Sequence, residues 1–291
     1  MGDMISLIIS GIANGSAFAL LALGVVIIFR STDTVNFAIG DTGTLATFAA
    51  LSAISAGAPI LLACLLAILL AGVIGIVSER LLVRPLGHGP HLLFVALVIT
   101  IGLGLVMQAG MGAVWGHTPK PFPPLVPGWI DVAGVAISLN KIAATLVALI
   151  AMGIVAWFFG FRPFGIAMRA GAEDPFAARM IGLKIGRMSS IAWFLGCGLA
   201  AIAMLFLAAE SALHPHIAHS PLFRAFAGVF LGGLTSMPGA VIGGFAIGVL
   251  DNIAGHYISA NYRDTIVFTI IVLVLFARPA GFMGTIRKER V

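Results

Sequence analysis

Long apolar runs make up most of this chain, and its polar positions fall between the runs instead of alternating with them. The blocks at about 5–29, 39–56, 59–82, 92–114, 141–161, 188–209, 222–234, 238–257 and 264–279 reach or approach the roughly 20 residues a helix needs to cross about 30 Å of hydrocarbon. The block at 222–234 is too short to cross comfortably alone. It reads as a half-helix that reverses or breaks within the membrane, which puts the crossings at about eight to ten. The pattern therefore predicts an all-α integral membrane protein: a polytopic bundle with short or broken helices, forming one transmembrane domain over 1–291.

Composition closes off the alternatives. With 60% hydrophobic and 9% charged residues and a mean hydropathy of +1.12, the chain cannot cover a water-facing surface, since soluble domains are about a quarter charged. A formal charge of +5 and a pI near 9.8 would suit nucleic acid, but the basic residues sit in short loops, not on one patch. Membrane lipids are the expected surroundings, and no nucleic acid is. Alternating the spans puts Arg30, Arg80, Arg84, Arg278, Arg287, Lys288 and Arg290 on one side with the basic loop at 162–187. The other side receives Lys120, Lys141 and Arg263, with Arg224 ambiguous. The positive-inside rule makes the first side cytoplasmic, with the N-terminus outside and the C-terminus inside. The first run lacks a basic n-region and a cleavage site, so it is expected to remain as a span. Cys64 and Cys197 lie within apolar runs and read as small packing residues.

Two connections face outside. The stretch at 115–141 is Pro-rich, and its VAGVAISL can form a short hairpin strand. ESALHPHIAHSP carries His214, His216 and His219 and reads as a solvated loop, because no partnering carboxylate pattern completes a metal site. Segments 35–50 and 223–244 both run from a charged or amide group through small residues with Gly breaks. They form a candidate internal repeat of the kind that flanks a transport pathway.

Polar groups inside spans are costly, about 2.5–3.5 kcal/mol for a central Asp, so they should face the bundle interior or a water-filled cavity. Asn14, Ser16, Asn36, Asp41, Thr44, Thr100, Gln108, Asp251 and Asn252 lie in or beside spans. Asn14, Ser16, Asn36, Asp41 and Thr44 gather around the first two spans and are the candidate pathway lining. Read one at a time, Asn14, Ser16 and Thr44 are helix-to-helix hydrogen bonds, and Asp41 and Asp251 sit near an interface. The 36 glycines, as in GGLTSMPGAVIGGFAIG, allow close helix packing.

The charges concentrate in FRPFGIAMRAGAEDPFAARMIGLKIGRM, Phe161 to Met188. Asp174 can cap a short helix, Pro175 suits its first turn, and Gly182 suits its C-terminal stop. Phe176, Met180 and Ile181 would give that helix an apolar knob fit for a groove in another protein. Composition alone favours a solvated connector that obeys the positive-inside rule.

The motifs NGSAFALLALG (14–24), VNFAIGD (35–41), SERLLVRPL (78–86), GIAMRAGAEDPFAARMIGL (165–183), LGGLTSMPGAVIGG (231–244) and RPAGFMG (278–284), in this order, carry a resemblance. Over nearly its full length the chain resembles the LivH-like permease subunit of bacterial ABC importers for branched-chain amino acids. The resemblance implies that the loop at 162–187 carries coupling helices docking on cytoplasmic ATPases, with Arg169, Ala170, Glu173, Asp174, Ala178 and Gly182 in the matching motif. It implies a sister permease as heterodimer partner (a homodimer being the other arrangement), two ATPase subunits that bind ATP and Mg, and a periplasmic binding protein that delivers the substrate. It also implies the bacterial inner membrane. This chain contains no G-x-x-x-x-G-K-S/T phosphate loop, so no catalytic residue, cofactor or metal is assigned to it. Where family members read NFAHG, this chain has Ile39 in place of the histidine, so amino acids other than Leu, Ile and Val, or other small organic solutes, stay open as substrates. Two other classes compete. A self-contained secondary transporter or channel would need Asp41 or Asp251 as its coupling carboxylate. An intramembrane enzyme lacks paired His and Asp at helical spacing.

Overall fold

The computed structural model describes residues 2–87, 92–132, 135–173, 175–257, 262–278 and 281–284. Its helices are α1 (Gly2–Thr32), α2 (Ile39–Ser55), α3 (Ile60–Ser78), α4 (Leu92–Trp115), α5 (Leu139–Phe161), α6 (Pro163–Glu173), α7 (Pro175–Met180), α8 (Ile185–Ser211), α9 (His219–Gly232), α10 (Met237–Tyr257) and α11 (Arg263–Ala277). Among the described residues, six helices are long and apolar enough to cross a membrane: α1, α3, α4, α5, α8 and α10. The shorter α2, α9 and α11, of 17, 14 and 15 residues, complete the bundle. The half-helix expected at 222–234 is α9. The hairpin expected in the Pro-rich connection also forms: β1 (Trp129–Val132) pairs antiparallel with β2 (Val135–Ser138).

Burial follows a membrane logic. α1 runs through the centre, packed against α5, α8, α9 and α10, and is buried from Gly15 to Ile28. α3, α4, α5 and α11 turn Leu, Ile, Val and Phe outward, among them Leu61, Leu69, Val106, Ile150, Leu273 and Phe276. Such faces suit acyl chains, while small residues let the inner helices approach. Along the α1–α10 contact a Cβ on Gly11 would lie 2.7 Å from the Val249 Cα, and one on Gly15 would lie 3.0 Å from the Phe245 Cα. Gly244 and Gly248 complete the seam against Ala19 and Gly15. Cys64 and Cys197 are buried free thiols, as packing residues should be.

The element order contains a repeat. A long helix, a broken connection, a short buried helix and another span occur as α1–α2–α3 and again as α8–α9–α10. The first break forms because Asp33 turns left-handed (φ 52°) and Asn36 Oδ1 accepts from the Ala38 N–H at 2.9 Å, so that α2 starts anew. The second begins where Ala212 takes φ 65°. The long helices cross where Gly24 meets Gly196, and the short ones meet where a Cβ on Gly40 would lie 2.9 Å from the Ala218 Cβ. The repeat read from the sequence at 35–50 and 223–244 is offset from this one, because the second segment begins within α9 and ends within α10.

Candidate functional site

The start of α2 lies beside the middle of α4 and the start of α9. Asp41, 4% exposed, accepts at Oδ1 from the Gln108 amide at 2.9 Å. The same amide nitrogen is 2.7 Å from His219 Nε2, and Gln108 Oε1 is 3.1 Å from His216 Nδ1. An amide nitrogen only donates and its oxygen only accepts, so His219 Nε2 accepts and His216 Nδ1 donates. His117 stacks on His216 at 6.5 Å. Asp41 and Gln108 are buried while His216 and His219 are exposed, so a polar trail leads from the surface to a carboxylate inside the bundle. The connections α4–α5 and α8–α9 are tied together by paired backbone bonds between Lys120 and Leu213, both 2.8 Å. Burial and the neighbouring His216 and His219 hold His214 below the usual histidine range. Among the described residues, no group of three or more His, Cys, Asp or Glu is arranged to hold a metal ion.

The five pathway candidates separate. Asn36, Asp41 and Thr44 gather at the start of α2, but the Thr44 hydroxyl returns to the Gly40 carbonyl at 2.9 Å and Asn36 caps its own turn. The Ser16 hydroxyl bonds to the Ala13 carbonyl at 2.7 Å. Asn14 and Ser16 stand two apart on α1 and so point to different sides of the helix. Ile39 is fully buried, and a Cβ on Gly24 would lie 3.1 Å from its Cδ1. Sequence reasoning placed Gln108 among the polar span residues without a partner and read His216 and His219 as a solvated loop. Only the fold brings these groups to Asp41.

At the other end of the bundle, α5 turns at Arg162 into α6 and α7. α7 ends in a Schellman stop: Gly182, at φ 82°, donates to the Arg179 carbonyl at 3.0 Å, and Leu183 donates to the Ala178 carbonyl at 3.0 Å. Met180 and Ile181 are each 75% exposed at its tip, while Ala178 is buried. Arg169 donates to the Gly160 carbonyl at 3.2 Å, and Ala170 is exposed on the same helix. Glu173 is the last residue of α6; Asp174 lies outside the described residues, and with it the proposed cap. Behind α7 a cavity of about 600 Å³ is lined by Ser31, Asp33, Glu79, Arg84, Arg179 and Ser189, among others.

Residues 7–275 match the family described as the permease component of the branched-chain amino acid transport system. The chain belongs to that family. It is 28% identical to the high-affinity branched-chain amino acid transport system permease protein LivH of Salmonella typhimurium, over 97% of this chain and 96% of the relative. BraD of Pseudomonas aeruginosa, which carries the same description, is 28% identical over 98% of this chain and 97% of its own length. A probable branched-chain amino acid transport permease protein LivH of Methanocaldococcus jannaschii is 24% identical over 96% and 92%. The family is one of multi-pass transport components, and the buried α1, the outward apolar faces and the broken helices fit a permease of that family.

Proposed function

We propose that this chain is the transmembrane subunit of an ATP-binding-cassette importer for branched-chain or related hydrophobic amino acids. A sister permease completes the membrane unit, two cytoplasmic ATPases binding ATP and Mg drive it, and a periplasmic binding protein supplies substrate. The observation that carries this reading is α7, a short helix with a defined glycine stop that holds Met180 and Ile181 into solvent. An apolar tip exposed at the polar end of a membrane protein costs solvation unless a partner covers it. The names of the relatives support the substrate class.

On this reading the chain sits in the bacterial inner membrane with its N-terminus outside, and the stretch at 115–141 faces the periplasm. Substrate enters at His216 and His219 and meets Asp41, whose carboxylate suits the ammonium group of an amino acid. Asn36 and Thr44 shape the start of α2 beside it, and Asn14 and Ser16 set the central helix. Closure of the ATPase dimer presses on Arg169, Ala170, Glu173, Asp174, Ala178 and Gly182, and the spans change access. The test is purification of the permease from membranes, as wild type and as Met180→Asp with Ile181→Asp, scored for co-purifying ATPase. Loss of the ATPase in the variant alone is expected. A wild type that carries no ATPase, or that takes up substrate without ATP, overturns the proposal in favour of a self-contained transporter.

A further inference from the structure

α3 does not end as an α-helix. Glu79–Val83 form a π turn, closed by the Arg84 N–H donating to the Glu79 carbonyl, and a 3-10 turn follows over Arg84–Leu86. The widened turn has a side-chain consequence. Five residues apart on an α-helix stand about 140° apart around the axis, whereas a π turn stacks them. Arg84 thereby reaches back to Glu79 with two parallel bonds, Nε to Oε1 at 3.0 Å and a terminal nitrogen to Oε2 at 2.9 Å.

Glu79 is only 2% exposed, and its remaining acceptor positions are taken by the second turn of α8. Ser189 donates to Oε1 at 2.8 Å and Ser190 donates to Oε2 at 2.9 Å. Arg84 also reaches α8, at the Gly186 carbonyl and at the Ser190 hydroxyl, 2.9 Å away. Arg80 adds a bond to Ser190 at 3.3 Å. One carboxylate and one guanidinium therefore hold the end of α3 to the start of α8.

The position of this cluster gives it a use. α8 begins at Ile185, three residues after the glycine that stops α7, so any displacement of α7 reaches the first turn of α8 through a very short connection. The cavity behind α7 has Glu79, Arg84 and Ser189 on one wall, Arg179 of α7 on another, and Ser31, Thr32 and Thr34 at the foot of α1 on a third. A bidentate pair built on a buried carboxylate transmits a shift, where a side-chain contact with free rotamers would absorb it.

We propose that the Glu79–Arg84 pair is the clamp that carries movement of the docking helix α7, through the first turn of α8, into the α3–α4 half of the bundle. Glu79 and Arg84 are positioning residues, acting through α8 and touching neither substrate nor nucleotide. The inference rests on the importer reading above.

The experiment uses the complete transporter, purified with its partners and reconstituted in lipid, and measures three quantities: ATPase retained, ATP hydrolysed, and substrate moved per ATP. Glu79→Gln and Arg84→Gln are expected to retain the ATPase and its hydrolysis while substrate per ATP falls at least about fivefold, the lower end of typical coupling between sites. A Glu79→Leu, Arg84→Met double variant removes both charges without stranding either, so folding is expected to recover. The clamp requires this variant to be stable and still uncoupled. A double variant that regains wild-type substrate per ATP overturns the proposal, leaving the pair a purely structural contact. Single variants whose hydrolysis and uptake fall in parallel do the same. A wild type that carries no ATPase overturns the importer reading, and the clamp falls with it.

Discussion

Asp251 offers a direct measure of how an ion pair works inside this bundle. Its Oδ1 accepts from Arg224 Nε at 2.7 Å, joining α10 to α9, and its Oδ2 stands 3.8 Å from Arg263 of α11. Arg224 also reaches Asp264 at 3.1 Å. The two carboxylates differ in surroundings: the Asp251 side chain is 5% exposed and that of Asp264 is 71% exposed. Asp251→Ala strands a largely buried guanidinium, which costs about 3–5 kcal/mol, reduced toward the lower figure by the Asp264 contact that remains. Asp264→Ala removes a solvated partner and costs under about 1 kcal/mol. In melting temperature, at roughly 2–4 °C per kcal/mol for a chain of this order, Asp251→Ala should lose at least about 6 °C and Asp264→Ala less than about 4 °C. The assay is thermal unfolding of the detergent-purified protein. A double variant, Arg224→Met with Asp251→Leu, should recover most of the loss, because removing both charges avoids the stranded one. Equal losses for Asp251→Ala and Asp264→Ala, or no recovery in the double variant, would refute the assignment of a buried pair.

Further outcomes follow from single positions. Gly248→Ala should lower stability by about 1–3 kcal/mol, read from the melting temperature, because its Cβ would meet the Gly15 backbone; an unshifted melting temperature would contradict the seam. Asp41→Asn still accepts from Gln108, so stability should change by under about 1 kcal/mol. Uptake of labelled substrate by the complete transporter should nevertheless fall about tenfold or more, since a charged contact to an ammonium is worth roughly 1.5–3 kcal/mol; unchanged uptake removes Asp41 from the pathway. His214 has its pKa lowered from 6.5 in the fold, so the unfolded chain binds its proton more readily. Any stability His214 withholds is therefore lost as pH falls below about 6.5, and none is lost above it. Protection of the Lys120 and Leu213 amides against hydrogen exchange, with the intrinsic pH dependence of exchange divided out, should fall on acidification through that range and fall less in His214→Gln; an identical pH dependence in both proteins would exclude His214 as the cause.

What the sequence could reveal depended on how far apart the interacting residues are. The stop at Gly182 was legible because a helix end needs only one residue able to take a positive φ after a helical run. The shortness of α9 was legible from the length of one apolar block, and the β1–β2 hairpin from one β-branched stretch. Asp41 stood out because a carboxylate in a span always needs an explanation, but its partners did not: Gln108 lies 67 positions away, and His219 meets that amide across 111 positions. A sequence also does not show that the Ser16 and Thr44 hydroxyls bond to carbonyls of their own helices and not across to a neighbour. Glu79 and Arg84 were invisible as a pair for a geometric reason: their spacing belongs on one face only if the turn is π, and nothing in SERLLVRPL announces that turn.

The glycine seam between α1 and α10 bears on which parts can move. Where side chains fill an interface, a helix can roll or slide a little while rotamers re-sort around it. Between Gly11, Gly15, Gly244 and Gly248 there is main chain against main chain, with nothing to re-sort. A small rotation there either collides or opens an empty slot. The pair therefore behaves as a single spar through the middle of the molecule. Any alternation of access has to be carried by the elements that lean on this spar, α5, α8 and α9 against α1 and α9 and α11 against α10.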